Sequence, residues 1–279
     1  MSTVTGRGRH IGVSGAAIIG TTIVFVIPFL FILLNAVKTS DEARQLDFSW
    51  PSQWAIVDNF QQVLQTRDYM LVVAFANSLI LTVCSVTLMV IFGAMVGYVL
   101  QRRASRWNVL VNLCVFAGLI IPPAVVPTVW VLQKLHLFGT MMGMVLIELA
   151  FGLAFCVLLF RAFVSQIPKE LDEAALIDGA SPLRLFFRII FPLLKPVVVT
   201  VIVVQSVFVF NDFQNPLYFF PGDENATVQL TLYNFQSQYT TNYNLLFMNI
   251  LLITIPPLIA YIIFQRQIVA GMTAGSVKG

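Results

Sequence analysis

The chain has 279 residues, of which 58% are hydrophobic and only 10% charged. A soluble domain of that length has too little interior to hide so much apolar surface, and the same composition excludes disorder, collagen and coiled coil. With 16 Lys and Arg against 13 Asp and Glu, the formal net charge of +3 is too small to mark a nucleic-acid binder. The class that remains is an integral membrane protein.

A bilayer core about 30 Å thick takes about 20 apolar residues at 1.5 Å rise each. Uncharged stretches of that length predict six spans, at about 13–35, 70–99, 108–132, 140–163, 190–211 and 244–264. Arg7 and Arg9 precede the first in the manner of a signal peptide. The run 11–37 carries no charge and is followed by no small-residue cleavage site, so it reads as a retained span. The second stretch is long enough to need tilt or extension beyond the bilayer, and Lys195 interrupts the start of the fifth. Proline falls in the first (Pro28), third (Pro122, Pro123, Pro127) and sixth (Pro256, Pro257). Such kinks belong in a packed bundle that satisfies the freed carbonyls, although Pro is in any case commoner in transmembrane helices.

An even number of spans puts both termini on one side. Twelve basic residues fall on that side: Arg7, Arg9, Arg102, Arg103, Arg106, Arg161, Lys169, Arg184, Arg188, Lys195, Arg266 and Lys278. Four fall on the other: Lys38, Arg44, Arg67 and Lys134. The excess of basic residues in cytoplasmic loops places both termini and the 161–195 loop in the cytoplasm. Cys84, Cys114 and Cys156 lie in apolar stretches, and the only histidines are His10 and His136, which leaves no material for a metal centre or a His-dependent triad.

The long cytoplasmic loop holds nine of the 29 charged residues. Pro168 suits a first helical turn, and Glu170, Asp172 and Glu173 set negative charge at the positive end of the dipole. Ala174, Ala175 and Leu176 favour helix, Gly179 is placed to end it in a left-handed cap, and Ser181-Pro182 restarts a second helix. A short helix, a glycine turn and a second helix leading into the fifth span follow. Acids in the first turn and a small Ala174, Ala175 surface favour a protein-docking face over a surface-lying amphipathic helix.

Glu173-Ala174-Ala175, Asp178-Gly179-Ala180, Ile189 and Pro192-Leu193 resemble the EAA loop of permease subunits from ABC importers, with the distal Leu-Pro pair in reversed order. The resemblance narrows to the carbohydrate importers of the maltose-permease group. The tail from Phe264-Gln265 through Gly271 to Gly279 carries it, as do Pro51 to Asn59-Phe60, Asn77-Ser78, and Asn211-Asp212-Phe213 with Asn215-Pro216-Leu217. Phe60 stands where Tyr is usual and Phe210 where Trp is frequent.

The resemblance implies an all-α permease of the type I ABC importer fold in the bacterial cytoplasmic membrane. It also implies that the loop at about 164–190, through Glu173, Ala174, Ala175, Asp178, Gly179, Ala180 and Pro192, seats in an ATPase. The tail (Gln265, Thr273, Ala274, Gly275, Lys278) is a second contact. Implied partners are a second, nonidentical permease, two ATP-binding subunits that hold ATP and Mg, and an extracytoplasmic sugar-binding protein. In agreement, the chain has no phosphate-binding GxxxxGK[ST] loop, since none of its five lysines follows a glycine, and it is read as non-catalytic.

Aromatic residues of the first outer loop and of 212–243 (Trp50, Trp54, Tyr218, Phe219, Phe220, Tyr233, Tyr239, Tyr243) are read as a membrane-interface belt or a seat for that binding protein. Glu148 is the one acid inside a span, so it faces the bundle or water, with Asn112, Gln205 or Asn249 as hydrogen-bond candidates. Glu148, Gln205, Asn211 and Asn249 are therefore candidate pathway or structural polar groups. Two rival functions are carried forward: a proton-coupled secondary transporter using Glu148, and an ABC importer of a glycerol-phosphate-type substrate.

Overall fold

The computed structural model describes the backbone of residues 5–236 and 241–274, and the side chains of 20–236, 241–259 and 261–265. The architecture is all-helical. The first predicted span lies in α1 (Thr5–Ala36), and α2 (Ser40–Ala43) and α3 (Ile56–Gln65) occupy the loop after it. The helix α4 (Met70–Arg102) has 33 residues. At 1.5 Å rise it is about 50 Å long, which exceeds a bilayer core and fits the expected tilt or extension.

The stretch read as a single third span is instead two helices, α5 (Trp107–Ile120) and α6 (Val125–Lys134). Pro122 and Pro123 remove two backbone donors in succession. Ile121, just before them, is extended at φ −80°, ψ 122°, as the following pyrrolidine ring demands. Next comes α7 (Met141–Val164), whose first turn is capped by the Thr140 hydroxyl accepting the Gly143 N–H at 3.0 Å.

The chain continues through α8 (Glu170–Ile177), α9 (Pro182–Leu185), a π-helical turn (Phe186–Ile190) and α10 (Phe191–Leu193). Then follow α11 (Lys195–Phe210), α12 (Gln214–Phe219) and α13 (Tyr243–Ala274). The second helix of the loop after α7 does not run straight into the predicted fifth span: Pro182–Leu193 and Lys195–Phe210 meet at 77°. Pro192 and Pro196 flank that corner without a backbone donor. Among the described residues, α4, α7 and α13 are long and apolar enough to cross a membrane, and the bent pair supplies a fourth if taken as one span. Gly20–Ala36 and Trp107–Ile120 are shorter apolar helices.

The chain divides into two compact units, one containing α2 and α3 with Thr231–Ile255, the other Met70–Leu230 with the rest of α13. In the larger unit α4 lies along α7, and Gly93 and Gly97 form the seam. A Cβ on Gly93 would stand 2.8 Å from Cβ of Cys156, and one on Gly97 2.9 Å from the Arg161 backbone nitrogen. This is the close approach that small residues four apart permit. The pair hides in an unbroken apolar run, where a hydropathy reading gives it no weight. Gly97→Val drives a side chain into backbone that cannot rotate away, so we expect a loss of about 1–3 kcal/mol. A thermal melt of the detergent-solubilised protein checks this, with Gly20→Ala, which meets nothing within 4 Å, as the silent control.

The smaller unit folds the loop after α1 into a clasp. Lys38 is wholly buried and donates to the Asp47 carboxylate at 2.6 Å and to its carbonyl at 2.9 Å. That bond, with those from Ser49, lowers the Asp47 carboxyl to about 2. Asn59 of α3 donates to the carbonyls of Ala36 and Lys38 at 2.8 and 2.9 Å and accepts from the Asn244 amide at 2.8 Å.

Candidate functional site

The elbow formed by α8 and α9 has the local form its residues dictate. Glu170, Asp172 and Glu173 occupy the first turn of α8. Gly179 adopts φ +78°; its N–H donates to the Leu176 carbonyl at 3.1 Å and the Ala180 N–H to the Ala175 carbonyl at 2.9 Å. These paired bonds close a helix in the Schellman manner. Ser181 is extended at φ −65°, ψ 154°, its hydroxyl accepts the Arg184 N–H at 3.4 Å, and Pro182 opens α9.

Tertiary packing sorts the same residues differently from the sequence reading. Asp172, expected to serve only the helix dipole, is buried, accepts from the Tyr98 hydroxyl at 2.5 Å and pairs with Arg102 Nε at 3.2 Å. Arg102 also donates to the Ile167 carbonyl at 2.7 Å. The elbow is thereby tied to the end of α4. The expected Ala174, Ala175 surface is corrected: Ala175 turns inward with Asp172, one helical turn apart, and is 5% exposed, while Ala174 stays outside. The outer face carries Leu171, Glu173, Leu176, Ile177, Asp178 and Gly179, with Ile177 86% exposed at the tip. Ala180 is half-buried and Pro192 exposed. Phe186 packs against Tyr98, Phe187 and Phe191 at ring separations of 5.5, 5.0 and 5.8 Å, which fixes the π turn against α4.

Of the tail residues, Gln265 is exposed and its amide donates to the Ile262 carbonyl at 3.1 Å. The backbone of α13 continues through Thr273 and Ala274, whose side chains, like Gly275 and Lys278 altogether, lie outside the described residues. Trp50 and Trp54 are 75% and 60% exposed with ring centroids 6.5 Å apart, whereas Phe219 and Phe220 are core. Tyr239 lies outside the described residues.

Glu148, Gln205 and Asn211 line one cavity of about 680 Å³ in the larger unit, together with Asp212 and Asn215. Asn249 does not join them. It belongs to the other unit, is wholly buried and donates to the Thr231 hydroxyl at 2.9 Å. None of the hydrogen bonds expected for Glu148 forms among the described residues. Asn112 accepts from Arg161 at 2.7 Å, and the Gln205 amide points to the Gly152 carbonyl and the Cys156 sulfur at 3.5 and 3.4 Å. Glu148 instead faces Asp212 and Asn215. Asp212 also accepts the backbone N–H groups of Gln214 and Asn215 at 2.8 and 3.3 Å, which starts α12. The sequence marked Asp212 and Asn215 only as parts of a motif, because nothing local ties them to a residue on another helix.

Comparison with known proteins agrees with this geometry. Residues 89–274 match the family described as binding-protein-dependent transport system inner membrane component. The probable starch degradation products transport system permease protein AmyC of Thermoanaerobacterium thermosulfurigenes is 34% identical over 92% of this chain and 93% of its own length. The melibiose/raffinose/stachyose import permease protein MelC of Bacillus subtilis is 31% identical over 91% of each. A chain of a bacterial ABC transporter involved in the import of the acidic polysaccharide alginate shares the fold, with a TM-score of 0.80 at 19% identity, covering 95% of this chain and 99% of that one. A chain of a bacterial alginate ABC transporter, in complex with an alginate pentasaccharide-bound periplasmic protein, superposes at 0.66 with 15% identity, covering 93% and 96%. With the family match spanning most of the chain and both curated relatives above 30% identity over nearly full length, the chain belongs to the binding-protein-dependent transport system inner membrane components.

Proposed function

We propose that this chain is one of two transmembrane subunits of an ATP-driven importer for a sugar or oligosaccharide, and that the α8–α9 elbow receives the stroke of a separate ATPase. The observation that carries the reading is Ile177, 86% exposed at the tip of a turn whose other face is pinned to α4 through Asp172 and Arg102. An exposed apolar knob on a helix pinned from its other face is a surface built for a partner rather than for water. The substrate class rests on the relatives, which are named for starch degradation products and for melibiose, raffinose and stachyose.

In this reading the chain crosses the inner membrane six times with both termini in the cytoplasm. It pairs with a second, related permease and meets a sugar-loaded binding protein on the outer side, where Trp50 and Trp54 offer exposed rings. ATP and Mg are held by two partner ATPase subunits. Closure of those subunits moves each elbow as a rigid body. Arg102 passes the movement into α4, and the glycine seam at Gly93 and Gly97 passes it into α7.

Affinity purification of the tagged chain in mild detergent tests the assembly: an ATPase subunit and a second permease are expected to co-purify. Ile177→Asp places a charge at the tip without touching the core, so the permease pair persists. ATPase affinity is expected to fall by about thirtyfold or more, as for removal of an interface hot spot. Unchanged ATPase recovery removes the elbow from the docking role.

A further inference from the structure

The two halves of the elbow carry opposite charge. The first holds Glu170, Asp172, Glu173 and Asp178, whereas the chain from Gly179 to Asn211 contains no acid, and its charged residues are Arg184, Arg188 and Lys195. On the helical segment Pro182–Leu193, Leu185, Phe186 and Ile190 are buried in the core of the larger unit. The other side exposes Leu183, Arg184, Phe187, Arg188 and Leu193, and Lys195 is exposed at the corner that follows. None of the three cations forms an ion pair or a side-chain hydrogen bond among the described residues.

We infer that this basic and apolar face binds the headgroups of anionic phospholipids. The inference rests on the proposed topology, with the loop after α7 on the cytoplasmic side, and it adds a partner, the lipid leaflet itself.

The orientation of the segment fits that partner. Pro182–Leu193 meets Lys195–Phe210 at 77°. Membrane helices tilt by about 20° from the normal on average, so with α11 in the fifth span the segment before the corner lies nearer the membrane plane than the normal. A helix lying in that plane with Arg beside Leu and Phe can sink its apolar side chains to the acyl boundary while the guanidinium groups reach the phosphates. A second mark of the same level stands at the end of α4. Arg102 there donates to the Ile167 carbonyl at the foot of the elbow at 2.7 Å. Trp107 opens α5 five residues later, exposed, with the Arg106 guanidinium 5.6 Å from its ring centroid. Tryptophan favours headgroup depth. The charge decides between lipid and ATPase as the occupant. Three unpaired cations with no acid among them complement the anionic cytoplasmic leaflet, and the face proposed for the ATPase is that of α8, with its acids and Ile177.

The test uses the assembled importer, purified in mild detergent and incubated with equimolar dioleoylphosphatidylglycerol and dioleoylphosphatidylcholine. Bound lipids are counted by native mass spectrometry. The wild type is expected to retain the glycerol lipid over the choline lipid. Each cation near an anionic surface is worth about fivefold in binding, so Arg184→Gln with Arg188→Gln should lower affinity for the anionic lipid about tenfold or more. Lys195→Gln alone gives a second reading, with an expected loss of about fivefold. Arg184→Lys with Arg188→Lys should keep the preference, because the leaflet reads charge. Arg44→Gln with Lys134→Gln removes as much charge on the opposite side in the proposed topology and should change nothing. Equal retention of the two lipids by the wild type overturns the inference. So does undiminished retention of the anionic lipid in the Arg184 and Arg188 glutamine variant, or the same loss in the Arg44 and Lys134 control. Recovery of the ATPase reports separately on the proposed function: lipid selectivity in a permease that brings down no ATPase sustains this inference and sinks that reading.

Discussion

Replacing Gly179 with proline is expected to abolish uptake and to release the proposed ATPase partner from the purified complex. The turn between α8 and α9 passes through φ +78° at this residue, and proline is confined to about −65°. The substitution also deletes the N–H that donates to the Leu176 carbonyl at 3.1 Å, and it forces Asp178, now at φ −71°, ψ 3°, towards the extended region. All three effects unwind the corner that presents Ile177. Alanine separates backbone conformation from space. Nothing stands within 4 Å of a Cβ at Gly179, so Gly179→Ala bears only the left-handed penalty of about 1–2 kcal/mol and should keep partial uptake. Uptake of labelled sugar by whole cells, with co-purification of the ATPase, measures the series. Wild-type transport by the proline variant would refute the coupling assignment.

Asp172→Ala is expected to cost about 3–5 kcal/mol, because it strands the Arg102 charge in a site where that side chain is 7% exposed. The variant should melt at lower temperature in detergent and lose uptake as α8 parts from α4. Tyr98→Phe removes one hydrogen bond to the same carboxylate, and about 1.5–3 kcal/mol is expected from that change. The double variant Arg102→Met with Asp172→Leu removes both charges and should recover most of the melting temperature, as buried pairs replaced by apolar residues commonly do. If it regains stability without transport, the pair is needed to transmit force as well as to hold the fold. An Asp172→Ala protein as stable as wild type would show that the burial of this pair carries no weight.

Several features were legible in the chain because they depend on neighbours in sequence. The cap at Ser181, the left-handed turn at Gly179 and the acids at the start of α8 follow from backbone preferences of individual residues. The break between α5 and α6 was written in Pro122-Pro123, but averaging hydropathy over 108–132 merges two helices into one apolar stretch. Hydropathy does not mark the Thr140 cap for a similar reason: it adjoins the apolar run without interrupting it.

Composition by itself determined that the solvent of this protein is lipid, since no arrangement of so apolar a chain hides it from water. Local chemistry determined that the loop after α7 is a helix, a glycine turn and a helix. Tertiary structure alone decided which side of that loop is free. Asp172 and Ala175 differ from Glu173 and Ala174 only in register, and it is the packing of α8 against Tyr98 and Arg102 that buries the first pair and exposes the second. It likewise decided that Glu148 meets Asp212 and Asn215 rather than Asn112 or Asn249. Contacts between residues far apart in the chain depend on how helices cross, and helix crossing is set by side-chain packing that residue-by-residue preference does not encode.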